Sequence, residues 1–147
     1  MIVKLKRLPH SEGLPVPSYQ TPLSSGVDLF CAFYEPVCIK PMQRILVPTG
    51  IAIELPEGLE AQVRPRSGLA LKHGITILNS PGTIDADYRG EIKLILINLG
   101  EENFTISRGQ RLAQLVFCTV LRVRFEIADE LSQTQRGEGG FGSTGES

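Results

Sequence analysis

Apolar and polar residues alternate with a period of two along much of the chain. In Gly50-Ile51-Ala52-Ile53-Glu54-Leu55 the residues Ile51, Ile53 and Leu55 share one face, and in Glu60-Ala61-Gln62-Val63-Arg64 the polar side chains lie opposite Ala61 and Val63. Both segments read as half-buried strands. Glu91-Ile92-Lys93-Leu94-Ile95-Leu96-Ile97 starts by alternating and then turns apolar on both faces, which suits a strand passing from solvent into the interior or an interface. Phe104 and Ile106, and then Val123, Phe125 and Ile127, repeat the alternation. Turn residues interrupt these runs at short intervals, among them Pro36, Pro41, Pro48, Gly58, Pro65, Pro81, Gly90, Gly100 and Gly109. Many short strands with frequent turns predict an all-β barrel or sandwich. The exception is Ser67-Gly68-Leu69-Ala70-Leu71-Lys72-His73-Gly74, where Ser67 as a cap, helix-favouring Leu and Ala, and Gly74 as a stop predict one short helix. From Arg136 to Gly145 the pattern vanishes into five glycines with a single large apolar side chain, a Gly-rich C-terminal tail unable to form a core of its own.

Composition narrows the function classes. The 147 residues suit one domain, and a formal net charge of −1 gives no electrostatic case for a nucleic-acid or anionic-membrane binder. The longest apolar run is six residues, Leu29 to Tyr34, against about 20 for a spanning helix. The N-terminus alternates apolar with basic residues instead of forming a secretory core, so a cytoplasmic location is expected. Cys31, Cys38 and Cys118 form no C-x-x-C pair, and each adjoins an apolar stretch, so all three are expected to be buried, reduced thiols. With only His10 and His73 for imidazole ligands, zinc is disfavoured and any metal should be a hard cation.

Five segments could carry chemistry. Pro65-Arg66-Ser67-Gly68-Leu69-Ala70 joins a strand end to the helix start, where exposed N–H groups, a hydroxyl and a fixed cation suit phosphate; a capped helix with a solvated arginine explains the same residues. Asn79 to Gly90 is rich in turn signals and could form a tight β-hairpin with Asn79, Asp85 and Tyr88 at its mouth. There a carboxylate could orient a water and a ring could lie against a sugar, or Asp85 and Asp87 could simply stabilise a turn. The tail could wrap anionic oxygens with its backbone, Arg136, Ser143 and Thr144 adding contacts and Phe141 closing as a lid, or it could be disordered. It has no lysine and is not a Walker A loop. Ser24 to Leu29 brings Asp28 on a strand entry, and Arg108 to Leu115 embeds Gln114 in an apolar strand, where an amide should have a partner.

In this order the five segments resemble the motifs of the homotrimeric deoxyuridine triphosphatase (dUTPase) family: Ser25-Gly26-Val27-Asp28-Leu29, Pro65 to Ala70, Gly82 to Gly90, Arg108 to Leu115 and Arg136 to Gly145. Ser25 stands where the family often has alanine, and Leu112 where it often has isoleucine. The resemblance implies a jelly-roll-like β-barrel over residues 1–135 and an arm, 136–147, that completes a neighbouring subunit's active site in a homotrimer. It implies hydrolysis of dUTP to dUMP and pyrophosphate, keeping dUTP low and supplying dUMP for thymidylate synthesis. Asp85 rather than Asp87 would be the general base, and Tyr88 would pack beneath the deoxyribose. Asn79 with Gly82, Thr83 and Ile84 would read the uracil edge, while Arg66, Ser67, Gly68 and Gln114 would hold the phosphates. Lys93 would also contact substrate, and Arg136, Phe141, Gly142, Ser143 and Thr144 would close over the nucleotide from another subunit. Mg2+ would be bound mainly by the triphosphate, with Asp28 acting on it through water. The competing readings are a dCTP deaminase-like enzyme of the same superfamily and a dUTP-binding regulatory or interaction protein.

Overall fold

The computed structural model describes residues 1–140. Eleven short strands and one helix follow in the order β1 (Lys4–Arg7), β2 (Gly26–Phe30), β3 (Val37–Ile39), β4 (Arg44–Pro48), β5 (Ile51–Glu54), β6 (Leu59–Pro65), α1 (Ser67–His73), β7 (Ile75–Ile77), β8 (Gly82–Ile84), β9 (Lys93–Asn98), β10 (Phe104–Ile106) and β11 (Arg111–Thr119). All pairings are antiparallel. A four-stranded sheet runs β2-β11-β6-β8, a three-stranded sheet runs β4-β9-β7, and two ribbons, β1-β5 and β10-β3, complete the jelly-roll-like β fold.

The inward residues of these strands make one core. Leu29, Ile39, Ile75, Ile92, Leu94, Leu96, Ile106, Leu112 and Leu115 are almost wholly buried, and Ile51, Ile53, Leu55, Ala61 and Val63 join them as their alternation predicts. Asn98 lies among them with its amide satisfied: Nδ2 donates to the carbonyls of Ile39 and Glu102, and Oδ1 accepts from the Gly100 N–H.

Helix α1 forms where expected and stops at Gly74 (φ +66°), which packs so closely against Gly100 that a side chain on either residue would strike backbone of the facing segment. The expected cap is shifted by one position. Arg66 occupies the N-cap without a side-chain capping bond, so Ser67 is the first helical residue and its hydroxyl is spared for other partners.

Three further expectations need correction. Gly82–Ile84 pairs with β6, and the chain then turns at Asp85 to Tyr88, so residues 79–90 bridge two sheets instead of forming a ladder-paired hairpin. Arg89 stabilises that turn by donating to the carbonyls of Ala86 and Tyr88, groups that a hairpin would have paired with strand N–H groups. Val123, Phe125 and Ile127 belong to no strand of the described chain: β11 ends at Thr119, and these three residues are exposed, Phe125 by 92% and Ile127 completely. Of the cysteines only Cys31 is buried, and its burial pushes the thiol pKa up; Cys118 is half-buried and Cys38 exposed, because Cys38 falls on the outer face of the short β3. No helix among the described residues is long and apolar enough to cross a membrane.

Candidate active site

The end of β6 delivers Arg66 next to Asp28 of β2. The Arg66 Nε lies 3.2 Å from one Asp28 oxygen, and the Arg111 Nη1 lies 3.2 Å from the other. Arg66 also donates through Nη1 to the Arg111 carbonyl at 3.1 Å, so its guanidinium is oriented by two contacts. The Asp28 side chain is only 8% exposed, and one carboxylate between two guanidiniums leaves a net positive corner at the start of α1, beside Ser67 and Gly68.

Arg111 is a residue that period-two reasoning assigns to the wrong face. In β11 it pairs with Phe30 and Ala113 pairs with Leu29, so the strand carries one extra residue there. The bulge lets Leu112 and Ala113 both point inward and turns Arg111 outward, onto the face that holds Gln114 and Asp28. No local signal in the sequence marks this pairing across 83 positions.

Gln114 lies directly opposite Asp28 on one side and Arg64 on the other. Its amide packs over Gly26, where an added Cβ would meet Oε1 at 3.1 Å. Gln114 is half-buried and makes no side-chain hydrogen bond among the described residues, so the partner expected for it does not come from this part of the chain.

The second group of expected residues follows α1. Asn79 packs against Gly82, where a side chain would meet the amide nitrogen at 3.2 Å, and Thr83 and Ile84 continue along the β6 edge. Asp85 and Tyr88 are the ends of the turn that follows, the Tyr88 N–H donating to the Asp85 carbonyl at 3.1 Å. Tyr88 is 44% exposed and its ring lies over Gly90, with its hydroxyl donating to the Glu91 carbonyl at 2.9 Å. Lys93 is exposed at the start of β9, its ammonium 3.8 Å from Glu91.

The two groups are neighbours along β6, since Gly82 pairs with Val63, three residues before Arg66, or about 10 Å along a strand. The cleft of about 460 Å³ beside Asp85 is lined by Leu55, Glu57, Ala86, Asp87, Arg89 and Arg122, and by none of Arg66, Ser67, Gly68 or Gln114. Arg136 is exposed and donates to the Gly139 carbonyl at 2.8 Å; Phe141, Gly142, Ser143 and Thr144 lie outside the described residues. Among the described residues no three His, Cys, Asp or Glu side chains converge as metal ligands.

Comparison with known proteins gives this arrangement a context. The family model described as dUTPase matches residues 12–145. The deoxyuridine 5'-triphosphate nucleotidohydrolase of Aquifex aeolicus is 63% identical over 145 residues, covering 99% of this chain and 97% of its own length. The protein of the same name from Mesorhizobium japonicum is 57% identical over 141 residues, covering 95% and 88%. The solved structure of Staphylococcus bacteriophage 80alpha dUTPase with dUPNHPP superposes with a TM-score of 0.88 at 27% identity, over 98% of both chains.

Proposed function

The chain belongs to the dUTPase family and is a dUTP nucleotidohydrolase, and from that premise we propose that Asp85 aims a water at the α-phosphorus while Arg66 and its surroundings hold the triphosphate. The observation that carries this reading is the Arg66–Asp28–Arg111 cluster at the end of β6, next to the strand pair that supports Asn79, Gly82 and Asp85. A guanidinium fixed from behind by a carboxylate meets developing charge without reorganising, which is where electrostatic catalysis gains most.

Cleavage of the α–β anhydride needs an in-line water and neutralisation of the leaving pyrophosphate. Asp85 is exposed at the head of its turn, open to water, and takes the water's proton as the new P–O bond forms. Arg66 and the N–H groups of Ser67 and Gly68 receive the phosphates, with Gln114 offering its uncommitted amide beside them. The Tyr88 ring supports the deoxyribose and leaves no room for a 2'-hydroxyl, while Asn79 and the Gly82–Ile84 backbone read the uracil edge. Lys93 adds a cation at the rim.

Magnesium enters as part of the substrate. The donor set fits an ion carried by triphosphate oxygens and waters better than a protein cage, and each Asp28 oxygen already lies 3.2 Å from an arginine nitrogen. An ion bound there would neutralise charge on the phosphates, and Asp28 would help hold it through water, using the lone pairs its arginines leave free.

The working unit is a homotrimer. Leu121, Val123, Phe125, Ile127 and Leu131 stay exposed in a single chain, and each such side chain gains about 1.5–3 kcal/mol on burial, so this stretch is built to lie on another copy. It leads directly to residues 136–147, whose Arg136, Phe141, Gly142, Ser143 and Thr144 then close a neighbour's site.

Release of pyrophosphate and ammonia from dUTP, dCTP, dTTP and UTP with Mg2+ tests the assignment. Pyrophosphate from dUTP alone is the expected result; ammonia from dCTP would make the chain a deaminase, and tight dUTP binding without turnover would make it a sensor. Sedimentation equilibrium should give three times the mass of 16.1 kDa.

A further inference from the structure

The cluster behind Tyr88 contains groups with no part in the steps above. One Glu91 carboxylate oxygen accepts from the Gly50 N–H at 2.9 Å and lies 2.6 Å from the His10 Nε2, with Lys93 at 3.8 Å from the other. Gly50 (φ +71°) is wedged against Ser11, so it is a fixed point, and the His10 carbonyl is held by Arg108 at 2.9 Å. Immediately after Glu91, the Ile92 carbonyl accepts from the Thr49 hydroxyl and the Ile92 N–H donates to Ile51. The β4–β5 turn and the N-terminal segment therefore clamp residues 91–92, and the Glu91 carbonyl is where the Tyr88 hydroxyl is moored.

We infer that Glu91, anchored by Gly50 and His10, is a positioning residue that fixes the height of the Tyr88 ring and so sets how strongly the site rejects a ribonucleotide. The inference rests on the reading of Tyr88 as the sugar platform. A ring free to sink by a fraction of an ångström admits a 2'-hydroxyl, whereas a moored ring does not. Because Glu91 acts through the ring, its effect should depend on the phenol.

The test is the ratio of kcat/KM for dUTP over UTP, measured on the full-length assembled enzyme. Glu91→Ala should lower that ratio about tenfold, with dUTP KM moving more than kcat, and Glu91→Gln, which keeps an acceptor for the Gly50 N–H, should restore most of it. Tyr88→Phe, which removes only the mooring bond at an exposed position, should lower the ratio several-fold, about the size of one hydrogen bond. The double variant should fall no further than the worse single one. Tyr88→Ala is the reference arm, and its ratio should collapse by about 10². An unchanged ratio in Tyr88→Ala would remove the platform reading itself. A collapsed ratio there, with Glu91→Ala unchanged or strictly additive to Tyr88→Phe, would overturn the inference alone. Should Glu91→Ala not fold, an unchanged ratio in Tyr88→Phe would overturn it.

Discussion

Strand β6 and the stretch from Leu121 to Ile127 carry the same alternation of apolar and polar residues, and the chain treats them in opposite ways. In β6, Ala61 and Val63 sink into the core while Glu60, Gln62 and Arg64 form a hydrogen-bonded row on the outer face. Leu121, Val123, Phe125 and Ile127 remain in solvent: among the described residues the last backbone hydrogen bond from this stretch to the barrel is the Val120 N–H donating to the Gly58 carbonyl. Alternation encodes a face, and only a partner turns that face into a strand. The barrel's partners are in its own sequence; the C-terminal stretch pairs with no strand among the described residues.

The contrast can be broken at either end. On the barrel side, Asp85→Asn should leave dUTP binding intact and reduce turnover by about 10² to 10⁴, as steady-state kinetics and nucleotide titration would show. Mixing that inactive variant with an inactive copy lacking residues 136–147 should regenerate activity if barrel and tail meet only between copies; proven co-assembly without activity would end the shared-site reading. Deleting 136–147 alone should remove most activity while leaving the melting temperature and the oligomer unchanged, and a lost fold would make the tail structural. Leu115→Ala, in the core, should cost about 2–5 kcal/mol at any protein concentration. Phe125→Ala should instead weaken association by about tenfold per arm, seen as a concentration-dependent melting temperature.

The smallest effect belongs to an exposed pair. The Lys4 ammonium, 2.9 Å away, holds the Glu54 carboxyl below its ordinary value near 4.5. A depressed folded value stabilises above the unfolded pKa, and the gain disappears as pH falls through the folded one. Glu54→Gln should therefore lower the melting temperature slightly at pH 7, and the difference should fade as pH falls through the folded value, in a thermal series across the acid range.

The sequence made much of this legible, and the exceptions have physical causes. The segments of β5, β6, β9 and α1 were readable because local period and local turn chemistry mark where each element lies. The dUTPase assignment was readable because five motifs occur in order. The Asp28–Arg111 contact was not, since a bulge inverts the face of Arg111 and only the pairing register exposes it. The hairpin around Asp85 was misread because turn signals fix where a chain reverses and not which edge it then joins; β6 offered the better edge. Ser67 looked like a cap because the one-residue phase of a helix start is invisible without φ and ψ. Likewise His10 and Glu91, 81 positions apart, share no motif.

Arg108 opens the fourth nucleotidase-like segment, yet its guanidinium engages backbone carbonyls and not Asp28. It donates to the carbonyls of Ala32, His10 and Glu12 at 2.7–2.9 Å and lies 4.8 Å from the Tyr34 ring. Three stretches of chain that are distant in sequence thus meet at one flat, five-pronged rivet. Lysine, a single point of charge, would engage these acceptors only in turn, so even the mildest swap there should let the amino-terminal seam slip.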